Sequence, residues 1–127
     1  MDGERFIIEL EPEVRCWLAE LPPRHYIKAE DYVDLLADSP TLLGEPYSRH
    51  LGGPVRELRF SLGGEATRVT YWLAPGRRVV LLTVFVKTRM RETAEVTRAL
   101  WAQKICEAEH GEAHQEFSRS ITEEEAR

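Results

Sequence analysis

The sequence predicts an α+β domain in the order β-α-α-β-β-β-α, an antiparallel sheet with its helices packed on one face. Three observations carry this. Two helical apolar patterns follow a short first strand. Three apolar runs of strand character then come in succession, divided by Gly63-Gly64 and Pro75-Gly76. One long helical stretch closes the pattern. At 127 residues the chain is one domain's length and can bury a core without disulfide or metal staples.

Residues 5–10 (Arg-Phe-Ile-Ile-Glu-Leu) read as the first strand. Pro12 opens a helix over residues 12–21, where a first turn tolerates proline, and Glu11 and Glu13 favour the positive end of its dipole. Val14, Trp17, Leu18 and Leu21 recur at helical spacing, and Pro22-Pro23 ends the run. Tyr26, Ile27, Ala29, Tyr32, Val33, Leu35 and Leu36 give a second helix that stops before Pro40, with Trp17 and the two tyrosines as core anchors. Residues 41–54, punctuated by glycine and proline, read as a loop. The three strands are Val55–Leu62, residues 67–74 and residues 79–87, with a four-residue loop 63–66 and a two-residue turn at Pro75-Gly76. That register sets Phe60 opposite Val69, and Val69 opposite Leu82. Residues 89–110 read as the last helix, broken by Gly111. The domain is therefore placed at 1–110, with 111–127 an acidic, flexible tail.

Composition excludes some classes. The most apolar run, Val79–Val86, is eight residues, against the roughly twenty that a membrane-crossing helix needs. The first residues, Met-Asp-Gly-Glu-Arg, are charged at once, so a signal peptide is not expected and the cytoplasm is the predicted compartment. Cys16 and Cys106 fit no metal-ligand spacing and read as two small buried or half-buried thiols. His110 and His114 are spaced i, i+4, but Gly111 lies between them and a third ligand is lacking. No metal and no cofactor is predicted.

The net charge of −5 hides a strong asymmetry. Residues 1–46 hold 4 basic and 11 acidic side chains, a net −7. Residues 47–104 hold 11 basic and 4 acidic, a net +7, and residues 105–127 hold 2 and 7, a net −5. A basic middle between acidic flanks points to an anionic partner or to a surface that offsets its own flanks.

Alternation divides the strands into two faces. Leu58, Phe60, Leu62, Val69, Tyr71, Leu73, Val80, Leu82, Val84 and Val86 form the core face. The other face gathers Arg59, Arg68 and Lys87 around Thr70, Thr83, Trp72 and Phe85, with Arg59 diagonal to Arg68. Arg89 and Arg91 follow where the last strand leaves the sheet. Guanidinium forks suit phosphate oxygens, and Trp72 or Phe85 offers a stacking surface for a base. The competing reading pairs the arginines with Glu57, Glu92 and Glu95 as a solvated exterior. His50, entering the basic segment, is a candidate acid or base, the role for which an imidazole is most often used.

Five stretches, in order, resemble the RelE/ParE superfamily of type II toxin–antitoxin toxins, in its HigB-like, phage-derived branch. They are Tyr47-Ser48-Arg49-His50-Leu51-Gly52-Gly53, Arg56-Glu57-Leu58-Arg59-Phe60, Arg68-Val69-Thr70-Tyr71-Trp72, the run from Leu81 to Arg89, and Glu92-Thr93-Ala94-Glu95-Val96. The resemblance implies a microbial-RNase-like fold and a metal-independent endoribonuclease that cuts mRNA at the ribosome. It implies inhibition by a cognate helix-turn-helix antitoxin. It also implies that Arg68 serves the scissile phosphate, with Lys87, Arg89 and Arg59 as the further basic groups. The expected catalytic set is Arg59, Arg68, Lys87, Arg89 and His50, with Tyr47 a second candidate base. Tyr47, Arg49, Trp72 and Arg91 are expected to bind substrate. Two alternatives stand beside this: a ParE-like toxin that binds gyrase without nuclease activity, and a non-enzymatic phage accessory protein.

Overall fold

The computed structural model describes residues 5–41, 43–88, 90, 92–109 and 115–117. The elements are β1 (Ile7–Leu10), α1 (Pro12–Glu20), α2 (Pro23–Asp38), β2 (Ser48–Gly52), β3 (Val55–Leu62), β4 (Glu65–Ala74), β5 (Arg78–Val86), α3 (Thr93–Glu109) and β6 (Gln115–Phe117). The α+β class holds, and so does the predicted order, with two strands added. One, β2, lies in the stretch read as a loop and pairs with β3. The other, β6, lies in the stretch read as a tail and pairs with β1. Pro23 both ends the first helical run and takes the first turn of the second.

The six strands run in the order β2-β3-β4-β5-β1-β6. The meander β3-β4-β5 is antiparallel as read. The sheet is nevertheless mixed, because β1 lies parallel to β5, with Ile8 beside Val79 and Leu10 beside Leu81.

Helices cover both faces, which corrects the one-face expectation. Ile8, Leu10, Val14, Leu18, Val33 and Leu36 form one core with Leu58, Phe60, Val69, Tyr71, Val79 and Leu81, under α1 and α2. Val55, Trp72, Ala74, Val80 and Leu82 pack on the opposite face against Ala99 and Cys106 of α3. Cys106 is buried and Cys16 is exposed. Among the described residues no helix is long and apolar enough to cross a membrane.

Two turns change the register without exchanging the site's face. β3 and β4 meet through Gly63-Gly64 alone, both at positive φ (56° and 86°), as a tight hairpin turn requires. The expected pairing of Phe60 with Val69 therefore slips by two, to Leu58 with Val69. A slip of two preserves each side chain's face. Between β4 and β5 the loop is Pro75-Gly76-Arg77, one residue longer than expected, with Arg77 at φ 59°. This exchanges the faces of the first half of β5, so that Val79 and Leu81 face α1 and α2 while Val80 and Leu82 lie under α3. A β-bulge then restores the parity: Tyr71 pairs with Leu81 but Thr70 with Thr83. Past the bulge, Thr83 and Phe85 share the face of Thr70 and Arg68.

Candidate active site

The ladder builds the site in two rows on the α3 side of the sheet. In the first row Arg49 on β2 pairs with Glu57 on β3, Glu57 with Thr70 on β4, and Thr70 with Thr83 on β5. In the second, Arg59 on β3 pairs with Arg68 on β4, and Arg68 with Phe85 on β5. Arg59 is thus directly opposite Arg68 rather than diagonal to it. α3 covers the part of this face that holds Trp72 and leaves these two rows at its N-terminal end. There a cleft of about 310 Å³ opens, lined by Arg49, His50, Glu57, Phe85, Lys87 and Glu92.

Glu57 lies at the centre of the charge, with only 6% of its surface exposed. Its Oε2 is 3.5 Å from Arg59 Nε and 3.7 Å from Arg68 Nε. These are ion-pair contacts too long for hydrogen bonds of good geometry. Neither buried Nε has another acceptor. Arg68 Nη1 donates to the Thr67 carbonyl at 3.1 Å, which fixes the guanidinium to its own strand. Burial pushes the Glu57 carboxyl above its ordinary range, and outweighs the pull of Arg68, Arg59, Arg49 and Lys87 in the other direction. Burial, reinforced by the neighbouring Arg59, moves Arg68 downward, while Glu57 opposes the shift. Two like charges and one opposite charge thus share a partly desolvated site with two unused N–H donors, an arrangement suited to an oxyanion.

The bulge is fastened beneath the first row. Thr70 Oγ1 accepts the Thr83 N–H at 3.1 Å, and the two hydroxyls meet at 2.6 Å. On the rim, Lys87 Nζ donates to the Met90 carbonyl at 2.8 Å. Glu92 Oε2 accepts the Thr88 N–H at 2.8 Å. Together these hold the chain as it leaves β5 for α3.

Of the predicted residues, the structure brings Arg49, His50, Arg59, Arg68 and Lys87 to this end of the sheet. His50 Nε2 donates to the Gly53 carbonyl at 2.9 Å, which leaves Nδ1 as the acceptor of a neutral ring. Arg89 and Arg91 lie outside the described residues, as do His110 and His114. Two expected substrate contacts are corrected. Tyr47 joins an aromatic cluster with Tyr32, whose ring stacks on Phe60 at 4.9 Å on the α2 side of the sheet. Trp72 is buried against α3. Alternation assigns a face but not what covers it, and α3 covers Trp72. Phe85 lines the cleft. Of the carboxylates expected to neutralise the face, Glu57 does pair with Arg59 and Arg68, whereas Glu95 pairs with Arg98 at 2.9 Å. Among the described residues no group of three or more His, Cys, Asp or Glu could hold a metal.

The chain is thus an α+β protein whose sheet carries opposed arginines around a buried carboxylate beside an open cleft. The family model of the phage-derived Gp49-like proteins (DUF891) matches residues 16–107, so the chain belongs to that family, a toxin family of the RelE type. Membership in a toxin–antitoxin family brings an antitoxin partner in general. No curated protein sequence matches the chain. Among solved structures, a double arginine-to-alanine mutant of the E. coli toxin RelE in the free state aligns with a TM-score of 0.49 and 16% identity, over 80% of this chain and 98% of that one.

Proposed function

We propose that the chain is an mRNA interferase: a metal-independent endoribonuclease that cuts translated mRNA at the ribosome and is neutralised by a helix-turn-helix antitoxin. The observation that carries the reading is the opposed pair Arg59 and Arg68, both within 4 Å of Glu57, whose carboxylate lines an open cleft together with Arg49 and Lys87. Family membership supports the toxin class.

In this reading the RNA 2′-oxygen attacks the adjacent phosphorus and the 5′-oxygen leaves, so the products are a 2′,3′-cyclic phosphate and a 5′-hydroxyl. Arg68 and Arg59 hold the phosphate and stabilise the charge that grows on its non-bridging oxygens. Arg49 and Lys87, on the cleft walls, receive the flanking phosphates, and Phe85 stacks on a base. Arg89 and Arg91, close after Lys87 in the sequence, supply further positive charge for the RNA backbone.

The test is induction of the chain in growing cells, followed by mapping of mRNA ends, with a parallel reaction on mRNA-programmed ribosomes. New 5′ ends inside coding regions, paired with 2′,3′-cyclic phosphates, are expected. Arrest of DNA replication with intact mRNA overturns the reading in favour of gyrase binding. No growth defect and no cleavage leaves the accessory-protein alternative.

A further inference from the structure

We propose that Arg98 on α3, acting with Glu13 on α1, is a positioning residue for the cleft: the pair holds the outer half of β5, which leads to Lys87, in place against α3. The inference deepens the nuclease reading above and rests on it. β1 pairs with β5 only as far as Leu81, where the Glu11 N–H donates to the Leu81 carbonyl at 2.9 Å. The chain then turns into α1, while β5 runs on beside β4 to Val86. A strand held by a ladder along one edge alone opens more readily than one held along both.

Side chains take over where β1 stops. Glu13 Oε2 accepts the Val84 N–H at 3.0 Å, and Arg98 Nη2 donates to the Val84 carbonyl at 3.3 Å. The two side chains thus make at Val84 both of the contacts that a neighbouring strand would make. They are joined to each other through Glu13 Oε1 and Arg98 Nη1. Glu95, on the preceding turn of α3, accepts from Arg98 Nε at 3.1 Å and from Nη2 at 2.9 Å. The hydrogen bond with Glu13, helped by Glu95, holds the Arg98 guanidinium above its ordinary pKa against the opposing effect of burial. The joint therefore keeps its charge at neutral pH.

Position, more than strength, gives the joint its role. The Arg98 and Glu13 side chains are 43% and 37% exposed, and an ion pair that open adds little to stability. Val84, however, lies between two residues of the site. Thr83 pairs with Thr70, itself opposite Glu57, and Phe85 pairs with Arg68. Phe85 and Lys87 line the cleft from β5 and its exit, and Glu92 and Val96 line it from the start of α3. Two walls of the cleft therefore meet at Arg98, which is bonded to one and carried by the other. In the nuclease reading Phe85 and Lys87 touch the RNA, so their placement against Arg68 sets how the reacting phosphate is presented. A misplacement of about 1 Å at such a site costs roughly 10² in rate.

The test compares parent, Arg98→Gln, Arg98→Lys, Glu13→Ala and the double variant Arg98→Gln with Glu13→Ala on mRNA-programmed ribosomes, at matched folded concentration. Arg98→Gln should lower kcat roughly 10–10²-fold with KM little changed. Arg98→Lys should recover part of kcat, because an ammonium keeps the charge but not the fork that reaches three acceptors. The double variant should be no slower than the slower single one, as two groups that act as one unit require. Lys104→Gln, exposed on the same helix, should keep the parent rate. Amide hydrogen exchange over residues 83–87 should quicken in Arg98→Gln. A parent-like kcat in Arg98→Gln overturns the proposal. So does a loss carried by KM alone, which would place Arg98 in contact with the RNA or the ribosome, and so do losses that multiply in the double variant. A parent that yields no cyclic-phosphate ends overturns the nuclease reading itself. In that case the exchange measurement still decides the joint: quickened exchange supports it and unchanged exchange refutes it.

Discussion

Arg68→Ala probes activity and stability through the same contact. Arg68 is 8% exposed, its Nε is 3.7 Å from Glu57, and its Nη1 is anchored on Thr67. Loss of one preorganised donor at a developing anion costs about 2.7–4 kcal/mol, or roughly 10²–10³ in rate. Removing one partner of a fully buried ion pair costs about 3–5 kcal/mol. Here Glu57 keeps Arg59 at 3.5 Å, and its carboxyl is already shifted toward protonation. The cost should therefore resemble that of one poorly satisfied polar group, about 1–3 kcal/mol. The variant should melt several degrees lower yet remain folded at 25 °C. Arg68→Lys should recover stability better than activity, because an ammonium keeps the charge but not the planar fork. Arg68 is also the largest of the influences that lower the Glu57 pKa. Its removal should displace the Glu57 titration, read by NMR, to higher pH. The assay is cleavage on programmed ribosomes at matched folded concentration, with growth arrest at matched expression and Arg15→Ala, on the exposed side of α1, as the control. If Arg68→Ala arrests growth as strongly as the parent, the arginine pair is not the catalytic centre.

Two further outcomes concern the scaffold of the site. Thr70→Val removes the acceptor of the Thr83 N–H at the bulge and should cost about 1–3 kcal/mol in a denaturant titration; an unchanged midpoint would mean that the bulge is held by other contacts. Because the folded-state pKa of Glu57 is raised, its contribution to stability is fully present below the unfolded value near 4.5 and is lost as pH rises through the folded value. The melting temperature of the parent relative to Glu57→Gln should accordingly fall as the pH is raised above about 4.5. The opposite slope would show that the arginines, not burial, dominate the carboxyl.

Legibility in the sequence followed the contrast between polar and apolar positions. β3 was readable to the residue because Leu58, Phe60 and Leu62 alternate with Glu57, Arg59 and Ser61 between Pro54 and Gly63. β2 was not: Ser48–Gly52 contains a single large apolar residue, Leu51, and becomes a strand because the edge of β3 offers it a ladder. The bulge at Leu82 left no mark, since β5 is apolar on both faces and a period of two has nothing to contrast. The long last helix was visible, but its side of the sheet was not. Its buried residues Ala99, Gln103 and Cys106 are too small or too polar to announce a core face.

The same limit explains why the arginines of the site could be read and its carboxylate's chemistry could not. Charge of one sign gathered in one segment is a property of the sequence, so the cluster around Arg59 and Arg68 stood out. Glu57 is one acid among them, and by composition it is a counter-ion. Its distinguishing property is burial at 6% exposure, and that is created by long-range structure: Arg49 arriving on the unpredicted β2, Arg68 two residues from its expected register, and α3 on the unexpected face of the sheet. Each of these moves leaves the identity of the residue unchanged and alters its surroundings, which are what bury the carboxylate and raise its pKa.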